Sequence, residues 1–162
     1  MQLITVEDII TKLGSEYSEE DKALIIKATE FAIIAHEGQK RSTGEDYVQH
    51  PLNVALTLAE LRMDTATIVA GILHDVPEDT PYSIDDIKKD FGKEIARLID
   101  GVTKIGTLKY RGLERYAENL RRMLMAMISD VRVIIIKFAD RLHNLKTLEG
   151  VRPDKRERIA LE

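Results

Sequence analysis

An all-α domain is predicted from three features of the chain. Apolar residues recur at helical spacing almost throughout, no segment sustains the period-two alternation of a half-buried strand, and capping residues stand ahead of the periodic stretches. The 162 residues are 44% hydrophobic and 32% charged with nine Gly and four Pro, which is enough to build one core and excludes collagen-like, low-complexity and disordered chains. No apolar run approaches the roughly 20 residues of a membrane span, and the polar opening Met1 to Asp8 lacks the basic start of a signal peptide, so a soluble cytoplasmic protein is expected. Without cysteine there is no disulfide frame, zinc knuckle or thiol nucleophile, and any metal must be held by His, Asp, Glu or Asn. A net charge of −4 argues against DNA binding but leaves room for local basic clusters that hold a phosphorylated small molecule.

The elements follow in order. Ser18 caps a helix over residues 19–37, with Leu24, Ile25, Ala28, Phe31, Ala32 and Ala35 on one stripe and Gly38 suited to a left-handed exit. Residues 39–47 form a polar loop. Pro51, tolerated at the first helical position, opens a helix over 51–62 with His50 at its mouth. Asp64 caps a helix over 65–75 whose residues Ile68, Val69, Ala70, Ile72 and Leu73 mark it as central, and Pro77 is expected to push Val76 out of helical geometry. Ser83 and Asp86 form a capping box for a short helix ended by Gly92, and a further helix runs to about Val102. From Gly101 to Gly112, three glycines among Lys104, Lys109 and Arg111 break the apolar pattern, and a long mobile loop is expected there, either a lid closing over phosphates or an ordinary connection. Residues 113–129 are helical, and Asp130 caps a last helix to about Leu148, in which length favours helix over strand for Val133 to Ile136.

The chemistry centres on His74-Asp75, at the end of the most apolar helix, where an unpaired polar group is costly. Alone, the pair reads as a histidine satisfied by a neighbouring carboxylate or carbonyl. His50, at the mouth of the preceding helix, and Asp140, near Ile136, Phe138 and Leu142, extend it to two imidazoles and two carboxylates. Such a mixed nitrogen and oxygen set suits Mn²⁺, Fe²⁺ or Mg²⁺, with Zn²⁺ possible, and leaves an octahedral ion two positions for metal-assisted phosphoester hydrolysis. These ligands converge only if three helices pack together. Glu78 and Asp79, placed on a turn by Pro77, are either water-activating carboxylates or a solvated acidic cap. Lys40, Arg41, Ser42, Thr43 and Gly44 make a basic, hydroxyl-rich loop, which is a phosphate or base contact or simply a surface turn. Lys137, Asn144, Lys146 and Thr147 lie at or near a shared face with Asp140, while His36, Arg141 and His143 read as structural residues.

Five segments together resemble a known family: Ala35 to Arg41 (AHEGQKR), Tyr47 to Pro51 (YVQHP), Leu73 to Thr80 (LHDVPEDT), Asp100 to Lys104 (DGVTK) and Lys137 to Asn144 (KFADRLHN). In this order they look like the hydrolase domain of RelA/SpoT-type alarmone enzymes, of the HD superfamily of metal-dependent phosphohydrolases. The resemblance implies a helical HD-type bundle holding one Mn²⁺ through His50, His74, Asp75 and Asp140, and removal of the 3′-pyrophosphate from guanosine tetra- or pentaphosphate to give GDP or GTP and pyrophosphate. It further implies water activation by Glu78 and Asp79, a base- and sugar-holding loop at Arg41, Ser42 and Thr43, and nucleotide contacts from Asn144 and Thr147. An N-terminal hydrolase piece of a longer bifunctional protein, with synthetase and regulatory domains as partners, is expected. The alternatives are an HD phosphohydrolase acting on a nucleoside monophosphate or NADPH, and a regulatory nucleotide-binding domain with little turnover.

Overall fold

The computed structural model describes residues 3–41, 43–106, 121, 125 and 130–148. Among them eight helices are formed and no strand: α1 (Val6–Lys12), α2 (Glu19–Ala35), α3 (Gln49–Glu60), α4 (Thr65–Leu73), α5 (Val76–Asp79), α6 (Ile84–Phe91), α7 (Lys93–Gly106) and α8 (Val131–Lys146). The predicted all-α class is the observed one. Within the described residues no helix is long and apolar enough to cross a membrane.

Helix α4 is the axis of the bundle. Thr67 to Leu73 are all buried, and α2, α3, α7 and α8 each pack against it. A helix that is apolar all round must be covered on every side, which is why the shortest of the long elements is the most enclosed. Its start is set by Asp64, whose carboxylate accepts from the Thr67 backbone N–H at 3.1 Å. The same device opens α2, where Ser18 and Asp21 cap each other's backbone, and α6, where Ser83 and Asp86 do so. Helix α1, which the apolar pattern did not single out, begins with a third such box from Thr5 and Asp8. It buries Ile9 and is tied to α3 by paired bonds between Gln49 and the Ile4 backbone.

Three departures from expectation bear on the packing and the site. Helix α3 starts at Gln49, so His50 lies inside its first turn; Pro51 is accommodated because a first-turn residue needs no N–H partner. Val76 is not expelled from helical geometry: Asp75 and Val76 accept from the Asp79 and Thr80 N–H groups at 2.9 and 3.1 Å, and Pro77 again sits in a first turn, that of α5. Glu78 and Asp79 therefore stand on a one-turn helix. The third correction concerns the expected loop at 101–112. Helix α7 continues to Gly106, while residues 107–112 and the helix expected over most of 113–129 lie outside the described residues. Gly101 is a packing glycine: a Cβ there would sit 2.8 Å from Val133 Cγ2, so its absence lets α7 approach α8.

Gly71 plays the same part between α4 and α3, where a Cβ would meet Leu58 Cδ1 at 2.5 Å inside the core. This close approach sets the separation of the two helices that carry His50 and lead into His74. Gly71→Val should therefore lower stability by about 1–3 kcal/mol, the usual scale for overpacking a filled core. Urea denaturation, read by helical circular dichroism, checks this.

Candidate metal centre

His50 in the first turn of α3, His74 just after α4 and Asp140 on α8 are all buried, and each offers a ligand atom within 4.8 Å of the others. The convergence of three helices that the spacing required is met. His74 donates through Nδ1 to the Gly71 carbonyl at 2.8 Å, which turns its Nε2 towards the carboxylates of the cluster. That buried nitrogen has no hydrogen-bond partner among the described residues. It faces Asp75 Oδ1 at 3.1 Å, while His50 Nε2 lies 3.2 Å from Asp140 Oδ1 and 3.5 Å from Asp75 Oδ2. Asp75 is half-buried at the rim of the same cluster.

The electrostatics favour a cation at this spot. Burial pushes the His50 imidazole towards its neutral form, against the opposing pull of Asp140 and Asp75. Burial also resists ionisation of Asp140, but His50, His74 and Lys137 outweigh it and hold the carboxyl well below the usual carboxylate range. Asp75 is likewise held down, by His74 and His50 against its burial. Asp140 is oriented by Lys137 Nζ, donating to Oδ2 at 2.8 Å, and by Asn144 Nδ2, donating to Oδ1 at 2.6 Å. An orphaned imidazole nitrogen and ionised carboxylates in one buried place are the donor set of a borderline-to-hard divalent metal, so the residues present fit such an ion.

A second set of side chains abuts the first. Gly38 and Gly44 adopt positive φ, and a tight turn closed by Arg41 N–H to Glu45 C=O at 2.9 Å carries Arg41 over α8. There the guanidinium donates to Asn144 Oδ1 at 2.7 Å and Thr147 Oγ1 at 3.3 Å, so three residues singled out in the sequence meet in space. Thr43 is half-buried nearby in the chain, and Ser42 lies outside the described residues. Asp79 is exposed but joined to the centre through Tyr47, whose hydroxyl lies 2.6 Å from Asp79 Oδ2 and 3.0 Å from Asp75 Oδ2. Burial and both carboxylates push the Tyr47 pKa up, keeping the phenol a donor. Glu78 is exposed on α5, and no described side chain holds it.

Two residues of the centre are not marked out by residue type alone. Tyr47 stands out in the sequence only within its motif, and the fold sets its phenol across two carboxylates. His143, assigned a structural part, is buried with Nδ1 only 2.8 Å from His50 Nδ1, and burial and nearby positive groups press its pKa down to about 3. Its position three residues after Asp140, on one helix face, was the available signal. His36 ends α2 as expected of a helix-end histidine, and its ring stacks on Tyr47.

A bundle of this kind, with histidine and aspartate converging from three helices, defines a class. A family model described as HD domain matches residues 28–162, and the chain belongs to the HD-domain family. Among curated relatives it is 55% identical over 129 residues to the bifunctional (p)ppGpp synthase/hydrolase SpoT of Escherichia coli K12, a match covering 79% of this chain and 18% of that protein. It is 48% identical over 159 residues to the guanosine-3′,5′-bis(diphosphate) 3′-pyrophosphohydrolase of Aquifex aeolicus, covering 98% of this chain and 22% of that one. The chain thus spans about a fifth of the length of these relatives. A solved structure, described as a metazoan ortholog of SpoT that hydrolyses ppGpp and plays a role in starvation responses, superposes with a TM-score of 0.68 at 27% identity, covering 90% of this chain and 82% of that one.

A divalent ion held by this group should be lost when one of its members is removed, without unfolding of the bundle. His74→Ala and Asp140→Asn are each expected to lose the binding of Mn²⁺, used as the probe ion, while keeping the helical circular dichroism spectrum. Full Mn²⁺ occupancy in either variant, measured by metal analysis after gel filtration, would place the ion elsewhere.

Proposed function

We propose that this domain hydrolyses the 3′-pyrophosphate bond of guanosine tetra- or pentaphosphate, releasing pyrophosphate and GDP or GTP. The observation that carries the reading is the juxtaposition of the buried His50, His74 and Asp140 group with the Arg41, Asn144 and Thr147 set. One offers a seat for a cation and the other a guanidinium suited to a nucleotide. The high identity to relatives named for this hydrolysis supports the same choice.

In this reading His50, His74, Asp75 and Asp140 hold one divalent ion, with Mn²⁺ preferred and Mg²⁺, Fe²⁺ or Zn²⁺ as substitutes. The ion when bound supplies Lewis acidity that favours ionisation of water and draws charge from the phosphorus under attack. Arg41 stacks on or pairs with the nucleotide, with Ser42 and Thr43 lining the sugar and Asn144 and Thr147 the opposite wall. Because Arg41 already rests on Asn144 and Thr147, its planar fork is held in place before the nucleotide arrives, which lowers the ordering cost of binding. Glu78 and Asp79 orient the attacking water and accept its proton. Tyr47, by donating to Asp79, limits where that carboxylate can point. The partners of this reading are the alarmone itself and, in a longer chain, synthetase and regulatory domains, all in the cytoplasm.

The direct test incubates metal-stripped protein with guanosine tetraphosphate, GMP or NADPH and Mn²⁺, Mg²⁺ or Zn²⁺, following pyrophosphate and phosphate separately. Pyrophosphate release from the tetraphosphate with Mn²⁺ is expected; phosphate release from GMP or NADPH alone would shift the substrate class. Glu78→Gln is expected to keep Mn²⁺ and nucleotide binding while turnover falls by about 10² or more, the scale of a lost acid-base group. Steady-state kinetics beside a metal-binding isotherm separates this from a ligand role, in which metal occupancy would fall together with the rate.

A further inference from the structure

His143 has no assigned part in the reading above, yet it occupies a decisive place behind the proposed ligand His50. Each imidazole nitrogen facing the other across 2.8 Å is an Nδ1, so one proton must lie between them, carried by one ring and accepted by the other. Two considerations make His143 the acceptor: Arg41 Nη1, which can only donate, approaches the same His143 Nδ1 at 3.4 Å, and a His50 that offers its Nε2 to an ion must carry its proton on Nδ1. His143 accordingly keeps its own proton on Nε2, which is buried with no hydrogen-bond partner among the described residues. His50 then carries its proton on Nδ1, and its Nε2 is left as a lone pair beside Asp140 Oδ1 and Asp75 Oδ2.

The comparison with His74 makes the point sharper. That ring is set in the same tautomer by the usual device, donation from Nδ1 to a backbone carbonyl. Among the described residues His50 Nδ1 meets no carbonyl, and the side chain of His143, one turn along α8 from Asp140, takes its place. Asp140 and His143 thus act on the cluster from the same helix face, one as a carboxylate and the other through His50.

We infer that His143 is a positioning residue of the metal centre, an acceptor that fixes the ring orientation and Nδ1–H tautomer of His50 and is itself fixed by Arg41. The inference rests on the proposed metal site but can be read in protein without metal. A consequence is that the loop arginine assigned to the nucleotide also reaches, through one intervening ring, a group assigned to the metal.

The test uses His143→Leu, which keeps bulk but removes the acceptor, and His143→Asn, whose amide oxygen can take up the Nδ1 position. Long-range proton–nitrogen correlation spectra of histidine-labelled, metal-free wild type should show His50 protonated on Nδ1. Electron paramagnetic resonance titration should show a Mn²⁺ affinity about 10–100-fold weaker in His143→Leu, the usual loss for a partner that orients a ligand, and largely recovered in His143→Asn. A metal-free wild type with His50 protonated on Nε2 would overturn the inference, and so would wild-type Mn²⁺ affinity in His143→Leu. A loss that His143→Asn does not recover would leave His143 only a packing role and equally overturn it. If His143→Leu fails to fold, the wild-type tautomer decides. Failure of the wild type itself to bind Mn²⁺ would instead sink the metal-site reading, a result distinct from each of these.

Discussion

The enclosure of α4 is the constraint on which the rest depends. A helix buried from Thr67 to Leu73 delivers His74 into a place where bulk water cannot satisfy it, so every polar group there needs a partner supplied by the fold. One imidazole nitrogen finds the Gly71 carbonyl. The other is left facing carboxylates, an arrangement that is costly without a cation and favourable with one. The buried position that makes an apolar core of α4 is the same one that makes its C-terminal end a metal-binding candidate.

Around that end the protein invests in orientation. Asp140 receives Lys137 and Asn144, His74 is locked by a carbonyl, and His50 leans on His143. Asn144 serves twice, its amide N–H₂ on Asp140 and its oxygen on Arg41, so the proposed nucleotide wall and the proposed metal ligands share a side chain. In a buried network of this type the members polarise and position one another, and removing one disturbs more than its own contact. On the opposite rim, Gln39 donates to the Asp79 carbonyl and Tyr47 to its carboxylate, tying the loop after α2 to α5. The loop bearing Arg41 is therefore attached on both sides, to α8 through the guanidinium and to α5 through its flanks.

At the far end of the bundle a different set of charges does structural work. Arg132 in the first turn of α8 donates to Asp64 at 3.1 Å and Asp130, and pairs with Glu94 at 2.8 Å, gathering the starts of α4, α7 and α8. Helix starts are positive ends, and carboxylates placed there cap the backbone while Arg132 offsets their mutual repulsion. Order at this end holds α8 against α4 and so helps keep Asp140 at its distance from His74.

Much was legible in the sequence. Capping boxes at Ser18 and Ser83, the cap at Asp64, and the apolar run of α4 are local signals, decided by hydrogen bonding and burial within a few residues, and they placed most helices correctly. The residue types at His50, His74, Asp75 and Asp140 likewise pointed to a mixed oxygen and nitrogen set, and the fold brings His50, His74 and Asp140 together as a buried group that could hold a metal. What tertiary structure alone decided was relational. Gly101 looked like a flexible residue but serves the crossing of α7 and α8, since the need for a missing Cβ exists only once Val133 is opposite it. His143 looked like a bystander, since its meaning lies in a nitrogen contributed by a residue 93 positions earlier. Local preference is written in neighbouring residues, whereas the contact between two imidazoles, and the third group set against them, here Arg41, exist only once packing brings distant segments together.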